Sequence, residues 1–189
     1  RGSISSSTMS RKSGETAIVA LPCSDPDNSR MTVTVRPAVP ADAPLIHQFI
    51  LDLAEYEKLA HEVEATLADV AGHLFGASPR LFCDIAEADG TPVGFAVWFY
   101  NYSTFRGRHG IYLEDLFVRP EARSLGAGKA LLRRLAQRCR EEGLARLEWS
   151  VLNWNAPAIA FYDSLGAGAQ TEWTVRRLTD APLEALATS

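Results

Sequence analysis

Apolar and polar residues alternate over Thr32–Arg36, a valine-rich run that predicts a strand. Pro37 and Pro40 end it. Asp42 then stands as a helix N-cap, with Pro44 in the first turn. Leu45, Phe49, Leu53 and Tyr56 recur at helical spacing, giving a helix to about residue 58. Thr66 and Asp69 form a capping-box pattern for a second helix ending near Phe75. Strands are expected at Arg80–Glu87, Val93–Tyr100 and Ile111–Val118, the first two joined by the hairpin signal Asp89-Gly90. Asn101–Gly110 reads as a polar loop. A long amphipathic helix spans Gly126–Gly143, with Leu131, Leu132, Leu135, Ala136 and Cys139 on one face and Gly143 as its stop. A strand at Leu144–Leu152, a short helix at Ala156–Leu165 and a last strand at Gln170–Leu178 complete the pattern. The order is β-α-α-β-β-β-α-β-α-β: an antiparallel meander followed by a βαβ crossover, a mixed α/β fold.

Residues 1–30 break this pattern. They are Ser-rich and turn-rich, with only the short apolar run Thr16–Leu21, too weak for a signal peptide. They are expected to be an N-terminal extension or appended tail, and residues 31–189 the folded domain. The whole chain of 189 residues carries a net charge of −4. Without residues 1–30 the balance is 15 Lys and Arg against 20 Asp and Glu, so the domain is the more acidic part. Such acidity argues against a broad nucleic-acid surface and suits a cationic partner. The longest apolar runs are too short to span a bilayer, so no membrane role is expected. Cys23, Cys83 and Cys139 form no CxxC pair, and His47, His61, His73 and His109 lack ligand spacing. No metal site or disulfide framework is expected, and reduced thiols suit a cytoplasmic protein.

The most informative segment runs from Asp115 to Ala130. A strand enters a turn, and the turn opens the long helix through Gly126 and Gly128. Free N–H groups in a first helical turn attract an anion, and Arg123 and Lys129 add positive charge. A P-loop is excluded, since Arg123 and Ala130 occupy its required positions; a dinucleotide fingerprint is excluded by Leu131. What remains is Arg-x-x-Gly-x-Gly at a strand-to-helix junction, an anion site or a tight packing turn.

Arg123-x-x-Gly126-x-Gly128 resembles the acetyl-CoA pyrophosphate loop of the GCN5-related N-acetyltransferases (GNAT). The likeness spans about residues 32–180 and includes a second motif, Asn155…Ala158-x-x-Phe161-Tyr162…Gly166-Ala167. Tyr112–Val118, the Asn155–Tyr162 motif and Ala54-Glu55-Tyr56-Glu57 resemble the diamine (spermidine/spermine) and thialysine acetyltransferase branch. The resemblance implies acetyl-CoA as co-substrate, direct transfer to a primary amine of a small cationic molecule, and a homodimer. It implies that the main chain of Leu116, Phe117 and Val118 holds the pantetheine. Arg123, Ser124, Leu125, Gly126, Ala127, Gly128 and Lys129 would hold the pyrophosphate. Asn155, Ala158 and Tyr162 would contact the cofactor from the later helix.

Tyr162 matches the family's general acid, since a phenol is neutral at pH 7 and can protonate a leaving thiolate. Packing beside Phe161 is its structural alternative. Glu114 and Asp115 are neighbours in an apolar strand and point to opposite faces. Glu114 is assigned to the amine, as its binding carboxylate or through a water that deprotonates it; satisfied structural carboxylates are the alternative. Tyr56, Glu57, Glu148 and Trp173 match positions lining the amine site of the resembled branch. That branch carries a histidine where Glu148 stands, and the match near Trp173 is one residue short. Other readings are an acetyltransferase for a peptide or antibiotic amine, and a non-catalytic acyl-CoA sensor. Closure by the 101–110 loop would favour small molecules over peptides.

Overall fold

The computed structural model describes residues 31–189; the expected tail at 1–30 lies outside the described residues. The elements are β1 (Val33–Pro37), α1 (Ala43–Glu57), α2 (Leu67–Phe75), β2 (Phe82–Ala88), β3 (Thr91–Ser103), β4 (Arg108–Val118), α3 (Ala127–Glu141), β5 (Leu147–Trp149), α4 (Ala156–Ser164) and α5 (Asp180–Ala187). The five strands form one sheet in the order β1-β2-β3-β4-β5. The first four are antiparallel and β5 joins β4 in parallel. The parallel pair requires a crossover, which α3 supplies.

Each face of the sheet buries its own apolar layer. Phe95, Val97 and Phe117 point to α1 and α2, where Ile46, Phe49, Val70 and Leu74 meet them. Ala96, Trp98, Ile111 and Leu113 point to the opposite face, against Leu131, Leu132 and Leu135 of α3. The period of two in the strands and of about four in the helices sets this sorting. The turns follow local chemistry. Thr66 and Asp69 cap α2 reciprocally, and the Asp89-Gly90 hairpin turns with both residues at positive φ, 48° and 78°. Asp42 does not cap α1 with its side chain. Its carboxylate instead accepts from the Arg36 guanidinium at 2.6 Å and the Val39 N–H at 2.8 Å.

Three sequence expectations change. The stretch 101–110 is strand rather than loop: β3 and β4 pair as far as Ser103 and Arg108, leaving a four-residue turn. Its polar side chains support the pairing, with Tyr102 edge-to-face on His109 at 5.0 Å. Hence no loop of that length is present to close the site. β5 is shorter than Leu144–Leu152, because its pairing with β4 stops at Leu113 and Trp149. Residues 170–178 are not strand. Their aromatic and β-branched side chains suit one, but strand propensity is realised only against a partner edge, and among the described residues none pairs with them. The segment is exposed, and α5 follows it unforeseen, although Asp180 and Pro182 stand in its first turn.

Candidate active site

The end of β4 is built differently from its start. β4 pairs with β3 through Asp115 opposite Val97 and Leu113 opposite Trp98, so Glu114 is the extra residue of a bulge. On the other side, β5 leaves β4 after Leu113. From Glu114 to Val118, among the described residues, one edge of β4 therefore has no strand beside it. This is the segment whose main chain, at Leu116, Phe117 and Val118, the family resemblance assigns to a pantetheine.

The bulge also sorts the carboxylates. Glu114 is exposed, whereas Asp115 lies opposite Val97, on the sheet face that α1 covers. Burial, then repulsion from Glu114 and Glu57, pushes the Asp115 carboxyl up to about 6. Burial raises Glu57 as well. Glu57 and Glu114 thus repel the Asp115 charge, and among the described residues no cation pairs with any of the three. This arrangement is costly unless a positive charge enters. The inward role of Asp115 was missed in the sequence, because a bulge that resets alternation leaves no local signal.

Tyr162 reaches the same place from α4. Phe161 and Tyr162 divide as adjacent aromatics must. Phe161 lies against the start of α3, close to Gly128, and Tyr162 packs on Trp149 with ring centroids 5.0 Å apart. Burial raises the Tyr162 phenol above its ordinary value, with Glu57 and Tyr56 adding to the effect. The hydroxyl therefore keeps its proton at neutral pH and has no hydrogen-bond partner among the described residues. Such a group can donate to a developing anion.

Asn155 holds α4 in place. Its side chain accepts from Ala158 N–H at 3.3 Å, capping the helix, and from the Tyr56 hydroxyl at 3.2 Å. Tyr56 also lies 6.1 Å from the Trp154 ring and carries the Arg123 guanidinium over its face at 4.5 Å. Trp154, directly before Asn155, was not singled out in the sequence. Tyr56 thus links α1, the glycine turn and α4.

The glycine turn opens α3. Gly126 has φ 90° and Ser124 has φ 77°, both in the left-handed region, so Gly126 is required by the backbone. Gly128 is not required by packing, since a Cβ there would stand 3.7 Å from Phe161, an ordinary contact. The N–H groups of Ala127, Gly128 and Lys129, in the first turn of α3, are those a helix leaves unpaired. A glycine that neither backbone nor packing demands is explained by close approach of something outside the chain. Lys129 is exposed beside it, and Arg123 Nε is turned inward to donate to Val118 O at 3.2 Å. Gly128→Ala is accordingly expected to keep or slightly raise thermal stability while weakening acetyl-CoA binding by about tenfold or more. Calorimetric titration beside a melting curve checks it.

Glu148 has partners of its own, and Trp173 faces solvent. Glu148 sits opposite Tyr112, with Asn101 Nδ2 donating to it at 2.6 Å and Arg146 Nε paired at the same distance. Its charge is therefore already matched. Trp173 is 75% exposed on the chain's later segment. Among the described residues no three His, Cys, Asp or Glu side chains stand together as a metal site.

A strand edge left open, a helix start with unpaired N–H groups and a protonated phenol on a mixed α/β sheet are the parts an acyl-transfer site needs. The Acetyltransferase (GNAT) family model matches residues 46–167, and the chain belongs to that family. It is an acetyl-CoA-dependent N-acetyltransferase. It is 31% identical to an L-ornithine N5-acetyltransferase of Arabidopsis thaliana, over 88% of this chain and 92% of the relative. It is 37% identical to a thialysine N-epsilon-acetyltransferase of Bos taurus, over 74% of this chain and 86% of that one. An integron cassette protein from the mobile metagenome of V. cholerae superposes with a TM-score of 0.70. It is 26% identical, over 84% of this chain and 99% of its own.

The residues present fit the family's co-substrate. The open edge at Leu116–Val118 would take the pantetheine amides, and Ser124–Lys129 the pyrophosphate. Acetyl-CoA supplies a thioester carbonyl, the electrophile for an amine. The chain would supply main-chain N–H groups to orient it and the Tyr162 hydroxyl as a proton donor.

Proposed function

We propose that the protein acetylates a primary amine of a small cationic molecule, such as a polyamine, ornithine or thialysine. The observation that carries this reading is the set Glu57, Glu114 and Asp115, three carboxylates unpaired with any cation among the described residues, with the Tyr162 hydroxyl near Glu57. An alkylammonium relieves their repulsion. Its deprotonation, by a carboxylate or by a water held on one, yields the free amine that attacks. The amine nitrogen bonds to the acetyl carbon, the carbon–sulfur bond breaks, Tyr162 protonates the thiolate, and the proton shed by the nitrogen returns to the Tyr162 oxygen by way of solvent, leaving amide, thiol and phenol. The ornithine and thialysine relatives support a small amine over a peptide.

The test is selectivity by charge. Initial rates should fall in the order dication, monocation, neutral amine, through KM more than kcat, and should decline with added salt. Rates that favour a neutral aryl amine or a peptide amino terminus would contradict the reading. We also propose a homodimer, supported by Val175, Leu178, Leu183 and Leu186, all apolar and exposed along 170–187. Light scattering should give twice the chain mass.

A further inference from the structure

The sheet face that α1 covers runs on beyond the helix. Val97, with Asp115 opposite, lies on the covered part. Two residues further along β3, Phe99 stands opposite Tyr112 with ring centroids 5.3 Å apart, and after it Asn101 stands opposite Gly110. Phe99 and Tyr112 are only partly buried, so this end of the face is uncovered. β5 sets Glu148 beside Tyr112, where Asn101 Nδ2 donates to Glu148 Oε2 at 2.6 Å. Arg146, two residues before Glu148, points to the same face, and its Nε pairs with that same oxygen at 2.6 Å. Gly110 lets these side chains converge. A Cβ there would stand 2.6 Å from Asn101 Oδ1 and 2.8 Å from Arg146 Cγ.

The Arg146–Glu148 pair is closed on one side and open on the other. Arg146 Nε and Glu148 Oε2 face each other. Glu148 Oε1 and the two terminal nitrogens of Arg146 have no hydrogen-bond partner among the described residues, and none of the three atoms is buried. The side chains are 38% and 37% exposed. The pair thus offers a free carboxylate oxygen next to free guanidinium N–H groups. Its net charge is zero, so an isolated ammonium gains at Glu148 and loses at Arg146. A group that carries both an ammonium and a carboxylate is complementary to both, through charge-assisted hydrogen bonds on each side. That is the head of an α-amino acid. The spacing suits one. Phe99 and Tyr112 lie about 7 Å along the strands from Val97 and Asp115, and β5 is about 5 Å to the side of β4. An amino acid with about three or four methylenes covers this span, its amine end at Asp115 and its head at Glu148.

We propose that Arg146 and Glu148 bind the α-carboxylate and α-ammonium of a diamino acid, so that its side-chain amine is the one acetylated. This rests on the small-cation reading above and sharpens it: the preferred acceptor is a basic amino acid rather than a polyamine. Among amines that carry no carboxylate, the selectivity by charge is unaltered.

The test compares each diamino acid with the diamine that lacks only its carboxylate: ornithine with putrescine, and lysine with cadaverine. Ornithine methyl ester is a further probe. For the better diamino acid, kcat/KM should exceed that of its diamine and of the ester by about tenfold or more, through KM. Mass spectrometry should place the acetyl group on the side-chain nitrogen alone. Arg146→Leu keeps the carbon that rests on Gly110 and removes the guanidinium. It should lower kcat/KM for the diamino acid by about tenfold or more and raise it for the diamine, whereas a merely structural loss would lower both. Arg146→Lys should recover part of the preference. Should Arg146→Leu not fold, the ester makes the same comparison on the parent protein. The proposal is overturned if the parent uses the diamine or the ester as well as the diamino acid. It is also overturned if the acetyl group sits on the α nitrogen, or if Arg146→Leu lowers both acceptors equally. In each of these cases a small amine is still acetylated, and the small-cation reading stands. Turnover of none of these amines would instead remove that reading, and this proposal with it.

Discussion

Tyr162→Phe is expected to lower kcat by about 10²-fold or more, the usual contribution of a positioned general acid, with acetyl-CoA affinity unchanged. The ring packing on Trp149 survives the change, because only the oxygen is removed. What disappears is a phenol that burial and the nearby Glu57 keep protonated at the pH where thiolate departs. The loss should also depend on the leaving group. An acyl donor whose thiol is more acidic needs less help, so the variant should recover part of its rate with it. Single-turnover rates with donors of differing thiol acidity measure this. A variant with the parent rate, or with a loss independent of the donor, would remove Tyr162 from the role.

Asp115→Asn is expected to stabilise the free protein and impair amine turnover together. The Asp115 carboxyl titrates at about 6 in the folded chain, against an ordinary 3.8. Between these values the folded state holds a proton that the unfolded state has released. Stability therefore falls as pH rises through that window, and above it the full penalty stands. Two units correspond to about 3 kcal/mol. At pH 7.5 the variant should melt roughly 5–10 °C higher than the parent, and below pH 4 the two should coincide. Activity has the opposite dependence. The facing groups are Glu57 of α1 and Glu114 of β4. As pH falls through about 6 the set gains a proton, loses charge and releases an ammonium, so kcat/KM for the amine should fall. Scanning calorimetry across pH and a pH–rate profile check both limbs. A variant less stable at pH 7.5 would show that the carboxylate is satisfied in a way the repulsion excludes.

These expectations rest on features of unequal legibility in the sequence. The Gly126–Gly128 turn, the Thr66–Asp69 capping box and the Asp89-Gly90 hairpin were readable because each is fixed by the needs of a few adjacent residues. The two apolar layers were readable from periodicity. Glu114 and Asp115 were found as a pair, but which one points inward depends on a bulge set by β3, far along the chain. The departure of β5 from β4 is likewise a relation between strands. Tyr56 was noted by resemblance, yet its contacts with Arg123 and Asn155 join segments 67 and 99 residues away. The stretch at 101–110 was misread because polar side chains hid a paired backbone, and 170–178 because strand-forming side chains are not a strand without an edge to join.

The central claim is that this site moves an acetyl group directly from acetyl-CoA to the amine of a small cation. One reaction tests it most directly: purified protein, acetyl-CoA labelled in the acetyl group, and equal amounts of spermidine, ornithine, thialysine, lysine and an amino-terminal peptide. Free CoA thiol and each acetylated product are quantified together. The account predicts label on one or more of the small cations, in amounts equal to the thiol released, and none left on the protein. Label confined to the peptide, label retained on the protein, or thiol released without an acetylated amine would contradict it.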